Sequence, residues 1–498
     1  MYELTKPSVL LNKEVYRDKV LACWIGKNIG GTMGTPYEGK REILDVQGFV
    51  TKEGEVLAND DLDLQLIWLH LIQEIGPYSL DCKKMGEAWL SFIPPNWNEY
   101  GLCKANMARG IKPPLSGDFN NDWRDSNGAW IRTEIWASLC PGAPEAAMKY
   151  AREDACVDHG TAEGTAAAIF VAAIESAAFV VNDLPALIKI GLAAVPEHSR
   201  VASTVRLALD LYEKKVDWKT ARNTIQQSNA DIGDGWFEAP SNIGYVVLGL
   251  LYGEGDFKKS MITAINCGDD TDCTAATVGA LLGIMNGTAG IPSDWASYIG
   301  DQIVTICHAG GVFYNSPKTC TELTDEVVMT APHVLFANRA NIELTDGESV
   351  IPEGIADSFA SLEAGRALCT RPANSFMHDL DFMQAEVIFE KAPTITANGE
   401  CKIKVTFTTK PIVRRNWPYL GNIPMYMEFK WHTPEGFAVE GPAGERFTHR
   451  SPHCQGEYTV EFTVRAPEKI EAMNRLLLEV RFPTRHLTDS VIIINLLG

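Results

Sequence analysis

The apolar residues of this chain repeat with one period over roughly its first two thirds and with another over the rest, and one type of regular layer cannot satisfy both. From about residue 14 to 315 they recur at spacings of three and four. Leu64, Ile67, Trp68, Leu71 and Ile75 predict a helix closed by Gly76-Pro77, and Thr274 through Val278, Leu281, Leu282 and Met285 predict another closed by Asn286-Gly287. The alanine-rich stretch from Gly164 to Val181 predicts helices in close approach. Beyond roughly residue 330 the spacing becomes two, as in Ile403, Val405, Phe407, in Met425, Met427, Phe429, Trp431, and in Tyr458, Val460, Phe462, Val464. With Leu476 to Phe482 and Val491 to Leu496 these runs predict antiparallel strands in a β-sandwich. The expected fold is therefore multidomain: an all-α bundle over 1–330 followed by a β-sandwich over 331–498. The join falls somewhere in 316–385, where Pro332, Gly347, Pro352 and Gly354 mark irregular connections.

At 498 residues the chain exceeds what one core usually serves, and 46% hydrophobic with 22% charged residues describes a globular protein. A net charge of -20 leaves no basic surplus for a nucleic-acid footprint. No stretch reaches about 18 uncharged apolar residues, the nearest, Thr165 to Val181, being interrupted by Glu175. The opening MYELTKPSVLLNKEVYRDK has no signal-peptide apolar core, and the 12 cysteines are scattered without Cys-x-x-Cys. A cytoplasmic protein with reduced thiols, and neither nucleic acid nor membrane as partner, is the expectation.

The chemistry concentrates in two acidic clusters, each just before a predicted helix: Asn59-Asp60-Asp61-Leu62-Asp63 and Gly268-Asp269-Asp270-Thr271-Asp272-Cys273-Thr274. One carboxylate suffices to cap a helix. Three acids within five residues exceed that need, and like charges about 4 Å apart repel by roughly 4 kcal/mol at an effective dielectric near 20. A bound cation removes the cost. If the two helix starts meet, their oxygens form a ligand set for hard ions such as Mg²⁺ or Mn²⁺, with Ca²⁺ admitted by the same oxygens. Two ions bridged by one carboxylate would fit.

The second cluster and its sequel, GDDTDCTAATVGALLGIMNGTAGIPSDW, resemble the signature of the ADP-ribosylglycohydrolase family, in which Gly-Gly-Asp-Thr-Asp-Thr leads into a small-residue helix, then Gly, Ile-Pro and Trp. Asn59-Asp60-Asp61 resembles the family's Thr-Asp-Asp-Thr. LACWIGKNIGGTMGTPYEG resembles its Gly-rich first helix and Pro-x-Glu turn, here Pro36-Tyr37-Glu38. Weaker echoes are Glu99-Tyr100-Gly101, Ser126-Asn127-Gly128-Ala129 with Arg132, and Asp158-His159-Gly160. The resemblance covers about 14–315 and implies a helical bundle with two divalent ions in a cleft, hydrolysing a glycosidic bond at the anomeric carbon of a ribosyl or furanosyl group, ADP-ribosyl by default. Carried over, it makes Asn59, Asp60, Asp61, Asp270, Asp272 and Cys273 the metal-site residues. It makes Glu38 an acid at the cleft mouth, Glu99 a candidate general base, and Asp61 part of the catalytic set. Ser126, Asn127, Gly128, Ala129 and His159 become substrate contacts. The substrate is a small-molecule or protein-linked glycoside, and the appended β domain would suit a carbohydrate or a dimer contact between copies of this chain.

Departures from the pattern bear on chemistry. Asn59 and Cys273 replace hydroxyl ligands, Leu62 follows the first Asp pair, and Asp63 and Asp269 offer spare carboxylates around which a site could be remodelled. Carbohydrate or nucleoside-like glycosides are the alternative substrates. A non-catalytic protein resembling the family's lens crystallin is a further reading, disfavoured by four retained aspartates. Asp270-x-Asp272-x-Thr274 also fits a haloacid-dehalogenase phosphatase nucleophile, but its neighbourhood reads helical and the first cluster is left unexplained.

Overall fold

The fold is described from a computed structural model, over residues 8–233, 236–308, 316–360, 362–381, 383–409, 424–448, 457–483 and 486–498. Two compact units emerge: Met1–Lys104 with Asn120–Arg371, and Ala105–Phe119 with Pro372–Gly498. The division along the chain thus falls at Arg371–Pro372, and a short earlier segment belongs with the second unit.

The first unit is helical apart from a parallel pair, β1 (Val9–Asn12) and β2 (Ile342–Thr345). Its axis is the packing of helix Lys13–Gly34 against helix Thr271–Asn286. Gly26 faces Gly279, Gly30 faces Ala275 and Gly34 faces Thr271, so closely that a Cβ on any of the three would overlap backbone of the facing helix. Such backbone approach is possible only with glycine on the stripe. Asp60–Ile75 ends at Gly76 (φ +76°) and Thr271–Asn286 ends at Gly287 (φ +68°), where the sequence places both stops. The alanine-rich helix Glu163–Ala178 is buried along nearly its whole length.

Pro332 corrects the sequence reading, because it lies inside the helix Cys320–Asn338 rather than in an irregular connection. Pro332 itself is exposed, while Leu323, Val327, Val334 and Leu335 bury the opposite face. Packing of that face sustains the helix through a residue that lacks an N–H.

The second unit contains β3 (Ser375–Leu380), β4 (Met383–Phe389), β5 (Glu400–Thr409), β6 (Pro424–His432), β7 (Ala438–Glu440), β8 (Gly444–Thr448), β9 (Glu457–Arg465), β10 (Met473–Arg481) and β11 (Ser490–Leu497). They form one sheet in the order β3-β4-β5-β9-β7 and another in the order β11-β10-β6-β8, antiparallel throughout. Alternate residues of both sheets meet in one core. Val405 and Phe407 of β5, Phe462 of β9, Phe429 of β6 and Leu478 of β10 are all buried there, and Phe407 stacks on Phe429 with ring centres 5.6 Å apart. Ile111 and Leu115 of the 105–119 segment fill the same core. This is the sandwich that the period of two predicts.

Candidate active site

The glycine stripe decides where the first acid sits. Helix Lys13–Gly34 runs into a tight turn at Thr35–Tyr37, and the chain is then pinned: the N–H of Gly39 donates to Asp269 O at 2.8 Å, and the N–H of Asp269 donates to Lys40 O at 2.7 Å. Glu38 is thereby held beside the start of helix Thr271–Asn286. Though exposed at the mouth, its carboxylate lies within 4.8 Å of those of Asp270 and Asp272.

The second helix start converges on the same place. Asn59 caps helix Asp60–Ile75 through its side-chain oxygen, which accepts from the N–H of Asp61 at 2.8 Å, while its amide faces Asp272 Oδ2 at 3.4 Å. Cys273 Sγ donates to Asp61 Oδ1 at 3.2 Å, and Asp61, Asp272 and Cys273 form a second group of ligand atoms within 4.8 Å. Asp272 belongs to both groups. The two acidic clusters, some 210 residues apart in sequence, are therefore one site.

Charge crowding is severe. Burial, then the charges of Asp270 and Asp60, lift the Glu38 carboxyl to about 7. Burial lifts Asp270 to about 6 against hydrogen bonds from Cys273, Asp272 and Asn127. Asp272 is raised well above its ordinary value by burial and then by Asp270, Glu38 and Asp61. Oδ1 of Asp272 is buried without a hydrogen-bond partner among the described residues. A cluster of oxygen donors, crowded into holding protons and with oxygens of Asp61 and Asp272 left without hydrogen-bond partners, fits a hard divalent cation.

Neighbouring groups aim these acids. Tyr100 donates its hydroxyl to Asp60 Oδ2 at 2.8 Å, and Asn127 donates its amide to Asp270 Oδ2 at 2.6 Å while accepting from the Trp130 indole at 2.9 Å. Asn127 thus orients a carboxylate. Ser126, Asn127 and Ala129 are all buried. Gly128 is required by the next side chain, since a Cβ there would overlap Glu99 Oε1. Burial lifts Glu99 to about 7, against the pull of the His159 charge.

His159, a substrate contact by the family resemblance, lies beneath the surface. It is fully buried, with Nε2 3.2 Å from Ser126 Oγ and Nδ1 3.0 Å from Asp158 Oδ1, so both ring nitrogens are engaged inside the protein. Asp158 is in turn held by Arg132, whose Nη2 is 2.9 Å from its Oδ1. The ring bears on Glu99. The two spare acids also have structural tasks. Asp63 Oδ2 accepts from the N–H groups of Ile306 and Cys307, and Asp269, at φ +69°, accepts from the N–H of Phe237 at 3.2 Å and the amide of Asn242 at 3.2 Å.

Sequence reasoning missed a buried base on which Asp61 depends. Lys27 Nζ lies 3.5 Å from Asp61 Oδ2 and donates to Glu134 Oε1 and to Ile131 O, each at 2.7 Å. Gln65 links the pair from the other side, donating to Glu134 Oε2 and to Asp61 O at 2.8 Å each. The available signal was a lone lysine between glycines on a helix that must bury every face.

The sequence profile of the ADP-ribosylglycohydrolase family matches residues 12–326, so the chain belongs to that family and is a hydrolase acting on glycosidic bonds. Among solved structures, an "ADP-ribosylglycohydrolase-related protein complex" is similar at 18% identity and a TM-score of 0.44, covering 65% of this chain and 99% of that one. No curated protein matches it in sequence. Among the described residues no helix is long and apolar enough to cross a membrane.

Proposed function

We propose that the helical unit is a metal-dependent hydrolase that cleaves an N- or O-glycosidic bond at the anomeric carbon of a ribosyl or furanosyl group, an ADP-ribosyl group before others, on a small molecule or a protein. The observation that carries the proposal is the convergence of Glu38, Asp61, Asp270 and Asp272 in two ligand groups that share Asp272, with buried oxygens of Asp61 and Asp272 left without hydrogen-bond partners. Mg²⁺ or Mn²⁺ held there by Glu38, Asp270 and Asp272 would anchor sugar hydroxyls and make a bound water more acidic.

The chain's own groups supply the remainder. Glu99, lifted to about 7, takes up and releases a proton near neutral pH, the range in which general acid–base catalysis is most effective. Glu99 accepts a proton at the position that His159 and Ser126 fix for it. Tyr100 and Asn127 keep Asp60 and Asp270 aimed inward.

The test is product release from ADP-ribosylated peptide, ADP-ribosylated small molecules and a panel of plain furanosides and nucleosides, with Mn²⁺ or with a chelator. Manganese-dependent release of ADP-ribose supports the proposal. Release only from the plain glycosides would transfer it to that substrate class, and no hydrolysis of any substrate would refute it.

A further inference from the structure

The two groups of ligand atoms that share Asp272 are not equivalent. In the group of Glu38, Asp270 and Asp272 every member is a carboxylate, and the buried Asp272, common to both groups, has an unpartnered Oδ1. In the group of Asp61, Asp272 and Cys273 a thiol stands among the donors, and it is already used: Cys273 donates to Asp61 Oδ1 at 3.2 Å. A protonated thiol is a poor ligand for a hard ion.

The other oxygen of Asp61 faces a cation that cannot leave. Lys27 Nζ is 3.5 Å from Asp61 Oδ2, and its 2.7 Å hydrogen bonds to Glu134 and to Ile131 O fix the ammonium from the opposite side. Glu134 is itself held by Gln65, whose Oε1 accepts from the N–H of Ile135 at 2.6 Å. A divalent ion on Asp61 would sit beside a buried, immovable positive charge.

We infer that this chain binds one divalent cation, at Glu38, Asp270 and Asp272, and that the Lys27 ammonium does the work of a second cation by neutralising Asp61. The inference rests on the metal-dependent reading above and narrows it. Asp61 then orients and balances charge without being a metal ligand, and the thiol at Cys273 is tolerated because no hard ion needs it.

Manganese counting on the full chain tests this. The protein is freed of metal, titrated with Mn²⁺, and followed by elemental analysis and electron paramagnetic resonance. The expected result is one Mn²⁺ per chain with the spectrum of an isolated ion. In the Lys27→Met, Glu134→Gln double variant, which removes the ammonium together with its main partner, a second Mn²⁺ and the spectrum of a coupled pair are expected. Two coupled ions in the unaltered chain would overturn the inference while leaving the metal-dependent reading intact. One ion in both proteins would overturn the part assigned to Lys27, and no bound Mn²⁺ in the unaltered chain would overturn both readings. Should the double variant fail to fold, the count in the unaltered chain still decides between one ion and two.

Discussion

Replacing Asp272 by Asn should stabilise the metal-free protein, opposite in sign to most substitutions of a buried polar residue. Asp272 shares its surroundings with Asp61 on one side and Glu38 and Asp270 on the other, ligand atoms within 4.8 Å in each group. If it keeps its charge, one such neighbour at that distance costs about 3.5 kcal/mol at an effective dielectric near 20. If it takes up a proton instead, the cost grows by about 1.4 kcal/mol for each pH unit above its ordinary value. Either way the raised carboxyl contributes its stability below pH 3.8, and loses it as the pH rises toward the folded-state value. An asparagine has no charge to accommodate. The expected gain is about 3 kcal/mol at pH 7.5 in chelator, shrinking to nothing near pH 4. Urea unfolding of the helical unit, followed by circular dichroism at both pH values with and without Mn²⁺, measures it. Mn²⁺ should stabilise the unaltered protein and leave Asp272→Asn unmoved. A variant less stable than the parent at pH 7.5 in chelator would refute the argument that these carboxylates repel one another.

Three further predictions follow from other parts of the structure. Gly30→Ala should lower stability by about 2 kcal/mol, since the clash with the Ala275 backbone exceeds the roughly 1 kcal/mol that alanine gains in a helix; an unchanged urea midpoint would show the helices are not in backbone contact. Glu99→Gln should reduce turnover by about 10² to 10⁴ and remove a pH-rate limb near 7, whereas a limb that survives assigns that proton to another group. Asn127→Ala removes the hydrogen bond to Asp270 and should weaken Mn²⁺ binding about tenfold by calorimetry, and undiminished affinity would mean that Asp270 needs no aiming.

Much of this organisation was legible in the residues. The change of period separates helices from strands, and the acids at 60, 61, 270 and 272 announce themselves because helix capping cannot use so many carboxylates, whereas Glu38 is marked by the family resemblance alone. What was illegible concerns partners distant in the chain. Asp63 and Asp269 look like Asp61 and Asp270 in sequence, yet two backbone N–H groups near residue 306 and the 237–242 turn claim them. His159 looks like a free imidazole until Ser126 and Asp158 are seen on its two nitrogens. Ile111 and Leu115 lie amid helical sequence but contribute to the core of the β unit, an assignment that no local pattern carries.

The central claim, that the two acidic clusters form one metal site serving a glycosidase, is tested most directly by calorimetric titration of the metal-free protein with Mg²⁺ and Mn²⁺, alone and with ADP-ribose, beside an Asp270→Asn, Asp272→Asn double variant. The account predicts metal binding that the sugar strengthens and the double variant loses. Undiminished metal binding in the variant, or no binding in the parent, would contradict it.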